Sequence, residues 1–217
     1  MEHQHALRDF LVHYAHEIGL ELTEEQSRQF LIYLEQMLQW NRVTNLTGIT
    51  DSYEIVSKHF VDSLTALAAL SFPSHAVVID VGSGAGFPGL PLKIARSDLR
   101  LILIESIQKK CSFLRTIVGL LKLSEVSVFA GTLEEYIVQE EFQIADVIVV
   151  RALRFEEVEG QLVMALKKGG RVLLYRTDKW GASLSQSGLV LESERCFSLP
   201  LSHGNRVISV FRKSSDA

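Results

Sequence analysis

The stretch VVIDVGSGAGFPGLP, residues 77–91, constrains the fold more than any other part of this chain. Val77, Val78 and Ile79 form an apolar run without polar alternation, the pattern of a strand covered on both faces, as in a parallel sheet under helices. Gly82, Gly84 and Gly86 follow at once, and without a Cβ they allow positive φ and let a ligand reach the main chain. Pro88 stands where a first helical turn tolerates its missing N–H, and Leu90, Leu92, Ile94 and Ala95 give that helix an inward face. The unit reads as strand, glycine turn and helix, with a nucleotide-like ligand as its natural occupant.

Spacing narrows the choice of ligand. A dinucleotide fingerprint, G-x-G-x-x-G counted from Gly82, needs a glycine where Phe87 stands. The pattern here is D-x-G-x-G-x-G, with Asp80 two residues before the first glycine. An acid at the strand end repels a pyrophosphate and attracts a cation, and the bulk of Phe87 blocks a diphosphate. A second apolar run, Leu101 to Ile104, ends in Glu105, placed at a strand end to accept hydrogen bonds from both hydroxyls of a ribose. A sulfonium nucleoside lodged between these two acids fits best. The arrangement resembles the first two motifs of class I S-adenosylmethionine-dependent methyltransferases.

The rest of the chain supports an α/β fold. Leu7, Phe10, Leu11, Tyr14 and Ile18 form a helical stripe that Gly19 stops; Thr23 and Gln26 have capping-box spacing before a second helix. Residues 40–48, WNRVTNLTG, break the periodicity and read as a loop, with Trp40 as a core anchor. Asp51 and Glu54 repeat the capping pattern before a helix over 52–70. Further strands are expected around 101–104, 126–129, 145–150, 171–175, 190–197 and 206–212, with helices at 107–122, 133–138 and 155–167. The last two strands read as an antiparallel hairpin across Pro200 and the His203-Gly204-Asn205 turn. The expected fold is a Rossmann-like, doubly wound, seven-stranded and mostly parallel sheet with an N-terminal helical extension. The division is 1–72 for the extension and 73–217 for the sheet domain, packed as one globular unit.

Length and composition set outer limits. With 217 residues, 47% hydrophobic and 22% charged, the chain suits one soluble globular unit. No apolar run is long enough to span a membrane, and MEHQHALRDF lacks the features of a secretion signal, so the cytoplasm is the expected compartment; a monomer is expected. Cys111 and Cys196 lack metal-ligand spacing and read as buried thiols; His13 and His16 read as a solvated face, so no metal is expected. Net charge is −4, unevenly spread: 11 Lys and Arg against 19 Asp and Glu up to Val150, and 11 against 7 from Arg151 onward. The basic C-terminal third permits a phosphate-binding face, although Arg206, Arg212 and Lys213 also fit an exposed edge strand guarded by charge.

Several segments together, WNRVTNLTGI, Lys58 to Leu64, DVGSGAGFPGLPLKI, Glu105-Ser106, Lys109-Lys110 and Phe113-Leu114, closely resemble the RsmG family, also called glucose-inhibited division protein B. The resemblance runs from about Leu20 to Lys213. It implies methylation of guanine N7 in 16S ribosomal RNA with S-adenosylmethionine, the partner being that RNA or the 30S subunit and not DNA. It further implies that Gly82, Gly84, Phe87, Glu105, Leu133, Glu134 and Arg151 hold the cofactor, and that Asn41, Lys58, His59, Arg176 and Arg206 face RNA. Thr132, Val150, Lys58 and Arg176-Thr177 depart from the family pattern of Arg, Ser, Arg and Lys-Gly.

The chemistry agrees with that implication. Carbon-5 methylation of a pyrimidine needs a cysteine nucleophile, and none stands in the segment directly after the fourth strand. Methylation of an adenine amino group typically uses an Asn/Asp-Pro-Pro-aromatic segment, where this chain has Arg151-Ala152-Leu153-Arg154. Guanine N7 carries an unshared pair and no proton, so no catalytic base is expected. The alternatives are a noncatalytic, ribosome-associated protein that binds S-adenosylmethionine and, less well supported, an NAD-dependent oxidoreductase.

Overall fold

A computed structural model of the protein describes residues 2–139, 144–179 and 188–214. The first three helices are α1 (Glu2–Glu17), α2 (Glu24–Thr44) and α3 (Ser52–Ile55); a π-helical stretch (Val56–Val61) leads from α3 into α4 (Asp62–Ala69). The α/β part follows as β1 (Val77–Val81), α5 (Gly89–Ala95), β2 (Arg100–Glu105), α6 (Gln108–Leu120), β3 (Val126–Ala130), α7 (Leu133–Gln139), β4 (Ala145–Arg151), α8 (Phe155–Ala165), β5 (Leu166–Arg176), β6 (Leu189–Ser198) and β7 (Asn205–Lys213).

These strands make a seven-stranded sheet in the order β3-β2-β1-β4-β5-β7-β6. The first five are parallel, with Asp80 beside Leu103 and Val149, and β7 runs antiparallel to both β5 and β6. Alternate residues of β1 enter different cores. Val78 packs with Phe30, Phe60, Leu90 and Phe113 on the face covered by α2, α4, α5 and α6, whereas Ile79 packs with Leu133, Phe155 and Leu162 on the face covered by α7 and α8. That two-sided burial is why the run carries no polar alternation. Leu7, Leu11 and Phe30 from the N-terminal helices belong to the first of these cores.

The local signals hold in part. Thr23 Oγ1 accepts from Gln26 N at 3.2 Å and Gln26 Oε1 from Thr23 N at 2.8 Å, completing the capping box. Residues 40–44 are helical rather than loop: α2 continues while Trp40 packs edge-on against Phe113 at 5.6 Å, and the polar residues that interrupt the stripe lie outside the core. The helix ends where Asn45 takes the left-handed conformation, φ 49°. Residues 52–70 are interrupted by the π turn rather than forming one α-helix. Pro88 occupies the cap of α5 and not its first turn. α8 stops at Ala165 because β5 begins at Leu166, ahead of Gly169 (φ 72°) instead of after Gly170.

β7 lies inside the sheet, so its charges do not guard an edge. Lys213 is buried and donates to the carbonyls of Val163 and Leu166, at 2.8 and 3.0 Å. The edge is β6, which leaves Cys196 exposed where a buried thiol was expected; Cys111 is buried. Among the described residues, no helix is long and apolar enough to cross a membrane, and no group of His, Cys, Asp or Glu is arranged to hold a metal ion.

Candidate active site

The C-terminal tips of β1, β2 and β4 meet the π turn around a cleft of about 560 Å³, within the usual range of small-molecule sites, roughly 300–1,000 Å³. Its wall begins with the glycine turn. Gly82 N and Ser83 N both donate to the carbonyl of Ile104, at 2.9 and 3.0 Å, and Gly86 N donates to that of Ser83 at 2.7 Å. The buried Tyr33 hydroxyl of α2 donates to the Ala85 carbonyl, tying the helical extension to the turn. Gly82 has φ 71°, and a Cβ placed on it meets Leu153 Cδ1 at 2.9 Å. A side chain at that position therefore takes up both backbone strain and cleft space.

Glu105 ends β2 facing this turn. Its Oε2 accepts from Gly84 N at 2.8 Å and its Oε1 from Ile107 N at 2.9 Å. A carboxylate offers about four lone-pair sites, so two remain for a ligand in the cleft. Thr132, Leu133 and Glu134 close the far side. Thr132 caps α7 reciprocally with Glu135. Its Oγ1 accepts from Glu135 N at 3.2 Å, while Glu135 Oε2 accepts from Thr132 N at 2.8 Å.

Asp80 does not touch the ligand site, contrary to the expectation from its place at the strand end. It is fully buried, does not line the cleft, and accepts from Gly89 N through Oδ2 at 2.9 Å while Oδ1 is without a hydrogen-bond partner. It thus anchors the start of α5 from beneath the turn. Asp80 and Glu105 still share one face of adjacent strands, because Asp80 pairs with Leu103 and Glu105 lies two residues further on. Burial pushes the Asp80 carboxyl up to about 7, against the opposing pull of the Gly89 N–H.

Arg151, the last residue of β4, organises the opposite wall. Its Nη1 donates to Asp62 Oδ2 at 2.9 Å and to the Lys58 carbonyl at 3.3 Å, and its guanidinium carbon lies 5.2 Å from the Phe87 ring centre. Its Nη2 lies 3.1 Å from His59 Nδ1. That nitrogen also lies 3.1 Å from the Lys58 carbonyl, and His59 Nε2 lies 3.0 Å from Thr47 Oγ1. The imidazole stacks on Phe87 at 4.6 Å. Burial first, then the Arg151 charge, hold His59 down to about 3, so it is neutral at physiological pH.

The two buried groups give opposite pH slopes. Between about pH 4 and 7 the folded state binds the Asp80 proton more tightly than the unfolded chain, so this group lowers stability as pH rises. Between about pH 3 and 6.5 the folded state resists the His59 proton, so that group raises stability with pH. Asp80→Asn is therefore expected to gain stability relative to the parent on going from about pH 4.5 to 7.5, read from urea midpoints; a constant difference contradicts the placement of Asp80.

All seven residues expected to hold a cofactor, Gly82, Gly84, Phe87, Glu105, Leu133, Glu134 and Arg151, line this one cleft. Of the five expected to face RNA, only His59 lines this cleft as well. Lys58 pairs with Glu54 at 3.3 Å, and Asn41 bonds both backbone groups of Thr47, each at 2.9 Å. Arg176 Nε donates to the Asp178 carbonyl at 3.2 Å beyond β5, and Arg206 grips Asp62. Thr47, Leu153 and Gln161 also line the cleft but were not anticipated, nor were the parts played by Tyr33 and Asp62. Only Leu153 carried a signal, an apolar residue two positions past Arg151 at the end of a strand.

The sheet order and a cleft walled by a glycine turn and a second-strand acid define a class I methyltransferase-type Rossmann fold. Solved structures agree on the fold: precorrin-6y C5,15-methyltransferase from Geobacter metallireducens superposes with a TM-score of 0.54 at 15% identity, covering 70% of this chain and 87% of that one. M. jannaschii TYW2, solved in complex with AdoMet, does so with a TM-score of 0.50 at 16% identity, covering 66% and 70%. The family model described as rRNA small subunit methyltransferase G (GidB) matches residues 26–204, and the chain belongs to that family. Among relatives named ribosomal RNA small subunit methyltransferase G, that of Lachnoclostridium phytofermentans is 34% identical over 90% of this chain and 85% of its own. That of Aquifex aeolicus is 43% identical over 74% and 81%.

Proposed function

We propose that this chain methylates N7 of a guanine in 16S ribosomal RNA, with S-adenosylmethionine as methyl donor. The observation that carries the reading is the convergence of all seven cofactor candidates on one cleft between the tips of β1, β2 and β4. The cleft fits the cofactor: a Cβ at Gly82 would press on Leu153 in its wall, and Glu105 keeps lone pairs for ribose hydroxyls. Gly82 and Phe87 then flank the amino-acid and sugar portions, Leu133 and Glu134 the adenine, and Arg151 the mouth.

When bound, the sulfonium supplies an electrophilic methyl group. Guanine N7 would take the methyl group with its own electron pair as the carbon–sulfur bond breaks and the neutral thioether leaves, so the protein has no proton to remove and contributes alignment, worth up to about 7–11 kcal/mol in well-oriented systems. His59 suits such a site because it is neutral: the charge that leaves sulfur appears on the purine, and a cationic imidazole would oppose it. Lys58, Arg176 and Asn41 are proposed to bind RNA around the mouth. This reading also places the protein in the cytoplasm, as a monomer acting on 30S subunits or naked RNA.

Purified protein is expected to transfer radiolabelled methyl from S-adenosylmethionine to 30S subunits, or to small-subunit RNA, taken from a strain that lacks the modification. No label in either substrate rejects the reading.

A further inference from the structure

Asp62 is fully buried at the start of α4, yet two arginines from distant parts of the sheet converge on it. Arg206, near the start of β7, donates from Nε to Oδ1 at 2.5 Å and from Nη2 to Oδ2 at 3.0 Å, a two-pronged grip. Arg151, at the end of β4, takes the remaining approach to Oδ2 at 2.9 Å. Only about a sixth of either guanidinium side chain is exposed, 15% for Arg151 and 16% for Arg206. Arg151 lines the cleft and Arg206 does not.

We propose that Arg206 is a positioning residue for Arg151, acting through Asp62, and not an RNA contact. A bidentate fork fixes the plane of the carboxylate, which a single donor leaves free to turn. With that plane fixed, Arg151 meets Asp62 through Nη1 while its Nη2 reaches His59 and its face covers Phe87. Tyr175 reinforces the same junction by donating from its hydroxyl to the Ser63 carbonyl at 2.6 Å. Arg206 is thus enclosed behind the cleft wall, its two strongest bonds spent on a carboxylate, whereas a phosphate contact needs a guanidinium that presents itself outward.

The inference deepens the cofactor reading and rests on it for its functional consequence, so its test has one arm that needs no cofactor. In Arg206→Met, Asp62 keeps one arginine partner, which favours a folded variant. The affinity for S-adenosylmethionine, measured without RNA, is expected to fall about tenfold, the order of one orienting charge-assisted bond. The KM for RNA at saturating cofactor, and its salt dependence, are expected to be unchanged.

The second arm follows the His59 ring by NMR. The ring faces Arg151 from β4 and Lys58 from its own helix, with the Asp62 carboxylate behind Arg151, and a displaced Arg151 lets its titration move upward toward the ordinary histidine range. Parental cofactor affinity with a raised RNA KM and a shallower salt slope makes Arg206 an RNA contact and overturns the proposal. An unmoved His59 titration overturns it as well. Failure of the parent protein to bind S-adenosylmethionine overturns the cofactor reading, while the NMR arm still decides the role of Arg206.

Discussion

Gly82→Val is expected to abolish cofactor binding while leaving a cooperatively folded protein. At φ 71° a β-branched residue sits in a region that L side chains rarely adopt, at a cost of about 1–2 kcal/mol or somewhat more. The new Cβ meets Leu153 Cδ1 at 2.9 Å, and the two methyl groups beyond it extend into the cleft or push Leu153 there. A domain with roughly 5–15 kcal/mol of stability tolerates the strain, but a bound nucleoside and the new side chain cannot share the volume. Calorimetric affinity for S-adenosylmethionine should fall at least about 100-fold, roughly 2.8 kcal/mol, within the range that overpacking costs. Gly119→Ala, where an added Cβ meets nothing within 4 Å, should leave affinity unchanged. Undiminished binding in Gly82→Val would place the cofactor elsewhere.

The second large effect is on stability. Asp62→Ala leaves the guanidinium groups of Arg151 and Arg206 without the carboxylate they share, and neither has enough exposure to recover full hydration. Breaking a buried ion pair from one side typically costs about 3–5 kcal/mol, a large part of a domain's total stability. Replacing all three charges with apolar residues, as in Asp62→Leu/Arg151→Met/Arg206→Met, is expected to restore most of that stability without restoring cofactor affinity. Urea denaturation separates the cases. A loss below about 1 kcal/mol for Asp62→Ala would mean that water already screens the cluster, as it does for exposed pairs.

These two sites differ in how plainly the sequence announced them. The Gly82 turn was legible because its signals are local: an apolar run, an acid, closely spaced glycines and a proline occupy consecutive positions, and the structure assembles them in place. Glu105 was legible for the same reason, as an acid ending a second apolar run that lies beside the first. Asp62, Arg151 and Arg206 come from α4, β4 and β7, and only the sheet order brings them together. Nothing at position 206 distinguishes an arginine gripping a buried carboxylate from one aimed at RNA.

The departures in secondary structure have similar causes. Residues 40–44 look like a loop by polarity, but a helix near the surface can carry polar side chains so long as Trp40 and Met37 fill the core. The π turn is a register change inside an apolar stripe, which periodicity alone does not resolve. Asp80 stands beside the site as its motif implies but plays a different part, because an acid that caps the backbone of a neighbouring helix and one that faces a cation share the same place in sequence.

The most direct measurement is the identity of the product nucleoside. Small-subunit RNA from a strain lacking the modification, treated with the protein and S-adenosylmethionine, then digested to nucleosides and resolved by mass spectrometry, is predicted to yield one new species, 7-methylguanosine. Methylation on a base amino group, a pyrimidine carbon or a ribose hydroxyl in its place would contradict a site that aligns two reactants and removes no proton.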